Sequence, residues 1–136
     1  MANSASQGAQ HTSEFLYDFS VSGGTAGGFD LGDLPLGAVV TNVAWVCEAA
    51  CTSAGNGATI ILGTTDDDNG WKASADAEAV FLLNATGTAA PATPQPITND
   101  AASRDVVMTV GGENLTAGKI RWIFSYYVPS NITLSE

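Results

Sequence analysis

The stretch IRWIFSYYV, residues 120–128, decides the fold. Ile120, Trp122, Phe124, Tyr126 and Val128 alternate with Arg121, Ile123, Ser125 and Tyr127, the period of two that an extended strand imposes on its faces. Large aromatics at that spacing suit a pleated surface packed against other strands, and Pro129 ends the run. The same period recurs upstream. Phe15, Tyr17, Phe19 and Val21 alternate with Leu16, Asp18 and Ser20, which predicts a first strand with one buried face. Val39, Thr41, Val43, Trp45 and Cys47 alternate with Val40, Asn42, Ala44, Val46 and Glu48. Both sets are apolar enough to predict a central strand covered on both sides. Ala58 to Leu62 (ATIIL) and Asp105 to Val110 add two short strands.

Glycine and proline punctuate these runs. SGGTAGG breaks the chain at Gly23, Gly24, Gly27 and Gly28, and a short FDL segment leads into DLPLGA with Pro35 and Gly37. TSAGNG and TTDDDNG are turns, and Gly111 and Gly112 open a connection through ENLTAGK. WKASADAEAVFLL, with Trp71, Ala75, Ala79 and Leu82 as its apolar positions, fits a short helix as well as a strand. NATGTAAPATPQP, with Pro91, Pro94 and Pro96, predicts an extended excursion, because proline interrupts helices and sheet ladders alike.

The expectation is all-β: a jelly-roll-like β-sandwich or barrel with an extended N-terminal arm and room for one short helix. The chain has 136 residues and 45% apolar content, enough for one core. We expect a flexible arm over residues 1–13, a single β domain over 14–129 and a tail over 130–136.

Fourteen acidic residues against four Lys plus Arg give a net charge of −10, which disfavours nucleic acid as a partner. No stretch approaches the roughly 20 apolar residues of a membrane helix, and MANSASQGAQHTSE lacks the features of a secretory signal. These features predict cytoplasmic synthesis and no membrane partner. Cys47 and Cys51 would stand roughly 13 Å apart on one extended strand, too far for a disulfide. A loop or helical turn after Cys47 would bring them close enough, but a reducing compartment makes two free, mostly buried thiols the expectation.

Catalytic chemistry finds little support. The one imidazole, His11, lies in the polar arm, which is expected to be disordered in an isolated chain and so does not hold a base at a fixed distance from a Ser or Cys nucleophile. Asp30 with Asp33, and Asp76 with Glu78, are near pairs of carboxylates better read as solvated charges. The glycines at 23–28 lack the following helix that a phosphate cradle requires. TTDDDNG offers a weak calcium loop, with Asp67, Asn69 and Asp76 at ligand offsets but Thr65 where the first Asp belongs. A solvated turn is the plainer reading. Asn84, Asn114 and Asn131 begin Asn-x-Thr sequons, incidental in a chain this rich in Asn and Thr. Trp45 and Trp122 are expected in the core, and Trp71 nearest the surface.

YDFSVSGG (17–24), LPLGAVVTNV (34–43), GATIILGT (57–64) and LTAGKIRWIFSYYV (115–128) together resemble small bacteriophage head proteins, the capsid decoration or cement proteins, over about Tyr17 to Val128. The Ala/Pro-rich stretch from Ala89 to Pro96 and CEAAC depart from that pattern. The resemblance implies a non-enzymatic virion protein without cofactor, made in the bacterial host cytoplasm and seated on the outer capsid surface. It further implies that the protein binds the major capsid protein, stabilises contacts between capsomers and self-associates, with a trimer favoured over a dimer.

Exposure and flexibility nominate contact residues: Ser4, Gln7, Gln10, His11 and Glu14 in the arm, Pro91 and Pro94 in the excursion, and Trp71 as an anchor. The competing reading is a carbohydrate- or receptor-binding β module of a phage tail or spike, which would require an exposed aromatic row.

Overall fold

The computed structural model describes residues 10–89 and 104–128. In chain order the elements are β1 (His11–Asp18), α1 (Phe19–Ser22), β2 (Gly27–Asp33), β3 (Val39–Ser53), β4 (Thr59–Gly63), β5 (Lys72–Asp76), α2 (Ala77–Val80), β6 (Thr86–Ala89), β7 (Asp105–Gly111) and β8 (Leu115–Tyr127). The strands pair from the outside of the sequence inward, β1 with β8, β2 with β7, β3 with β6 and β4 with β5. It is as if one long antiparallel ribbon had been folded over on itself. Ladders β3·β8 and β4·β7 join these pairs into two four-stranded antiparallel sheets, β1-β8-β3-β6 and β2-β7-β4-β5. The result is the expected all-β, jelly-roll-like β-sandwich.

The inner faces meet in one core. Val43, Cys47, Ile120, Trp122 and Phe124 come from the first sheet, and Ile60, Leu62, Val106, Met108 and Val110 from the second. Trp45, Phe81 and Trp122 form an aromatic triangle with centroids 5.6–5.8 Å apart. Each fully buried large apolar side chain contributes on the order of 1.5–3 kcal/mol of transfer free energy.

Several local expectations are corrected. The first strand stops at Asp18, whose carboxylate accepts hydrogen bonds from the Ser20 backbone N–H at 3.0 Å and hydroxyl at 2.7 Å. That cap turns Phe19–Ser22 into α1 and leaves Val21 81% exposed. β1 begins at His11, so His11 to Ser13 are strand residues and not part of an arm. Gly27 and Gly28 open β2 where a turn was expected. The segment from Trp71 resolves into both alternatives, β5 and then α2, because Asp76 ends the strand and caps the helix by accepting from the N–H groups of Glu78 and Ala79, both at 3.0 Å. Buried Ala77 and Phe81 hold that corner, while Ala79 and Leu82 face outward. Thr86–Ala89, expected in the excursion, pairs with β3, and β8 starts at Leu115, inside the supposed connection.

β3 lies between β8 and β6, central as expected, but within this chain it is buried on one face; Asn42, Ala44, Val46 and Glu48 on the other are half-buried. It continues through CEAAC with register shifts between Cys47 and Ala49 and between Ala49 and Thr52. The shifts turn Cys47 and Cys51 into the core as free thiols. Gly118, with φ 150°, makes room there: a Cβ on it would stand 2.7 Å from the Cys51 Sγ.

Candidate docking end of the sandwich

The ladders fix which residues share an end of the molecule. His11 at the start of β1 lies opposite Tyr126 near the end of β8, and Val39 at the start of β3 lies opposite Tyr127. Ala89, the last residue of β6, pairs with Val43. In the second sheet Asp33 pairs with Asp105, Gly63 with Val107, and Leu62 with Lys72. One end therefore gathers the starts of β1, β3, β5 and β7 and the ends of β2, β4, β6 and β8. The described chain enters at Gln10, leaves at Ala89, returns at Arg104 and leaves again at Val128, all at this end.

The roots are held by specific bonds. Gln10 Nε2 donates to Thr41 Oγ1 at 2.9 Å, and Thr41 Oγ1 donates to the Ser125 carbonyl at 3.2 Å. The His11 ring lies 5.7 Å from that of Tyr126, whose hydroxyl is 3.3 Å from Ser13 Oγ. Arg104 Nε donates to the Leu34 carbonyl at 3.0 Å, and the Leu34 N–H donates to the Arg104 carbonyl at 2.8 Å. Buried Asp105 accepts from the Thr65 N–H at 2.9 Å and from the Thr65 hydroxyl, so the acidic turn is tied to the returning strand.

Within the turn, the Asp67 carbonyl accepts from Thr64 and Gly70 N–H groups at 2.9 and 3.1 Å, which closes a self-contained loop with Asp66, Asp67 and Asp68 exposed. Asp76, the third calcium candidate, is engaged at the opposite end as the α2 cap. Among the described residues no group of three or more His, Cys, Asp or Glu side chains is arranged to hold a metal.

The nominated contact residues divide accordingly. Gln10, His11 and Trp71 are brought to this end. Trp71 is half-buried, its ring edge-on to Phe124 at 5.4 Å. Glu14 lies instead on the outer face of the first sheet. Ser4, Gln7, Pro91 and Pro94 lie outside the described residues; Pro91 and Pro94 belong to the segment that leaves and returns at this end.

That outer face carries an ionic network that sequence reading missed. Arg121 Nε contacts Glu48 at 2.7 Å and Arg121 Nη1 contacts Glu14 at 3.0 Å, while Lys119 lies 3.7 Å from Glu48 and 4.0 Å from Asp18. The Arg121 hydrogen bond holds the Glu48 carboxyl below its ordinary range, and the Ser20 hydrogen bonds do the same for Asp18. Lys72 sits 4.9 Å above the Trp45 ring. With Arg104 bound to Leu34, each of the chain's four Lys and Arg is engaged, leaving no free basic cluster for a phosphate backbone.

No protein-family model matches the sequence, and no curated protein matches it. Solved structures do share the fold. A chain of the cyanophage Pam1 capsid asymmetric unit superposes with a TM-score of 0.72 at 20% identity, covering 95% of this chain and 91% of that chain. A chain of the acidic stable capsid of Helicobacter pylori bacteriophage KHP30 gives 0.63 at 20% identity, covering 96% of each. A chain of the capsid of Ralstonia phage GP4 gives 0.66 at 17% identity, covering 96% of this chain and 91% of that one. The likeness is one of fold, and it runs across nearly the whole of each pair of chains.

Proposed function

We propose that this protein is a structural component of a bacteriophage head, a decoration or cement subunit that binds the outer surface of the capsid. The observation that carries the reading is the near end-to-end likeness to similarly sized chains from three phage capsids. Charge supports the outer position, because a chain of net charge −10 is repelled by packaged DNA. Its partners are the major capsid protein and further copies of itself. Docking uses the end at Gln10, His11, Trp71 and the roots of the proline-rich segment, and no catalytic step is required. Binding to the assembled shell and not to free subunits stabilises the shell by mass action, and a subunit touching two capsomers adds the gain of multivalency. A sugar-binding module is less well supported, because Trp45 and Trp122 point into the core and Trp71 is packed on Phe124.

The test is cosedimentation of purified protein with empty phage heads that lack it. Stoichiometric binding with a raised melting temperature of the heads is expected. Deletion of residues 2–9, which leaves β1 whole, or replacement of residues 90–103 by a short Gly/Ser linker should weaken that binding in a folded protein. A protein that ignores heads overturns the reading.

A further inference from the structure

We propose that copies of this chain join head to tail, the β6 edge and α2 corner of one copy lying against the β1 edge and α1 corner of the next. This rests on the reading of the chain as a head component and names one partner within it, a second copy.

The first sheet has two free edges among the described residues, β1 on one side and β6 on the other. Unpaired edge backbone is a template for another strand. The order β1-β8-β3-β6 is antiparallel throughout, so β6 runs opposite to β1. A neighbour rotated about an axis along the strands therefore offers its β1 to β6 in the antiparallel sense that every other pair in the sheet has. The levels also agree. β6 pairs with Val43 to Val46, these with Phe124 to Arg121, and these with Ser13 to Leu16 of β1.

The exposed apolar side chains follow the same geometry. Among the described residues the exposed large hydrophobics are Leu16 at 40%, Val21 at 81%, Leu82 at 52% and Leu83 at 61%. Leu16 and Val21 belong to the β1 edge and its α1 corner. Leu82 and Leu83 follow α2 and lie beside β3, where the Asn84 N–H donates to the Cys47 carbonyl at 2.8 Å and the Cys51 N–H to the Phe81 carbonyl at 2.9 Å. The pairing of Asp18 with Lys119 and of Lys119 with Ala49 puts the two corners at one level on opposite edges. Contiguous exposed apolar residues are unusual without a partner.

The antiparallel match of the two edges fits a second copy as that partner, and local charge does not oppose it. Two chains of net charge −10 repel, yet residues 79–89 contain no charged side chain, and Glu14 and Asp18 on the receiving edge are already bridged to Arg121 and Lys119. A two-fold contact of β1 with β1 would leave Leu82 and Leu83 uncovered, and β6 with β6 would leave Val21. A head-to-tail contact covers both corners at once, and such contacts form a ring when the rotation between copies closes.

The test is sedimentation velocity and native mass spectrometry of the full chain, with Val21→Glu and with the double variant Leu82→Glu/Leu83→Glu. These side chains are exposed, so wild-type circular dichroism and thermal unfolding are expected for both. Wild type should form a closed oligomer and each variant alone should fall to one chain. An equal mixture of the two should recover dimers, since each retains the surface the other lacks. A monomeric wild type, an oligomer that survives both variants, or one broken by a single variant of the pair overturns the proposal. Heads play no part in this measurement, so its failure is separable from failure of the capsid reading.

Discussion

Gly87 on β6 lies directly against the indole of Trp45 on β3: a Cβ added there would stand 2.5 Å from Trp45 Cη2 and 2.6 Å from Cε2. Trp45 cannot retreat freely, because its ring is packed on Phe81 and Trp122 and covered by Lys72. Gly87→Ala should therefore cost about 1–3 kcal/mol through overpacking. Urea unfolding followed by tryptophan fluorescence reads the change, and an unaltered midpoint would mean that the indole has room to move.

Trp122 is wholly buried, and its Nε1 has no hydrogen-bond partner. Trp122→Ala should cost about 3–5 kcal/mol by leaving a cavity at the centre of the sandwich. Trp122→Phe should cost clearly less, because aromatic packing on Phe81 persists and no hydrogen bond is lost. Equal losses in chemical denaturation would show that the indole nitrogen does contribute.

In acid the protein should weaken. Glu48 and Asp18 are held below their ordinary carboxyl range by Arg121 and by Ser20, so on acidification the unfolded chain takes up protons before the folded one does. Their contribution is present above the ordinary carboxyl range and fades as pH falls through the lower folded values. Glu48→Gln should flatten the acid limb of a melting-temperature profile while lowering its neutral plateau; an unchanged limb would remove Glu48 from the explanation.

At the alkaline side two buried groups act in the opposite sense. Burial pushes Tyr17 up to about 12, with its hydroxyl donating to the Gly23 carbonyl at 2.6 Å, and pushes Cys51 up to about 12. Folding favours their neutral forms, so this stability is complete below the ordinary pKa of each group and is lost as pH rises toward about 12. Tyr17→Phe should reduce the alkaline loss. Burial also raises Cys47, and neither thiol should react with a disulfide reagent at neutral pH until denaturant is added. Rapid labelling of the native protein would contradict that burial.

The parts of the fold legible in sequence are those whose cause is local. Phe15 and Tyr17, Val43 to Cys47, and Ile120 to Tyr126 alternate because each strand has one face in the core. β6 escaped notice because Thr86, Gly87 and Thr88 carry no apolar period; what makes them a strand is the open side of β3 and the fit of Gly87 over Trp45. α1 was hidden by the apparent alternation through Phe19 and Val21, which the Asp18 cap overrides. The network of Arg121, Glu48, Glu14 and Lys119 joins three strands far apart in sequence, so only the register exposes it. Convergence of Gln10, Trp71, Ala89 and Arg104 on one end likewise follows from topology and not from any motif.

Because His11 and Tyr126 are direct partners across the β1·β8 ladder, with Cα atoms about 4.5–5.5 Å apart, the first and last strands of the described residues bring the path from β1 to β8 back nearly to a closed circle. Where that circle is cut matters little to the two sheets. A gene rearranged to begin at Gly57, in the exposed turn between β3 and β4, with Val128 joined to Gln10 by a short linker in place of residues 129–136 and 1–9, would preserve every ladder. It would also move both chain termini to the opposite end of the molecule, so that cargo fused there points away from the surface at which Gln10 and Trp71 sit.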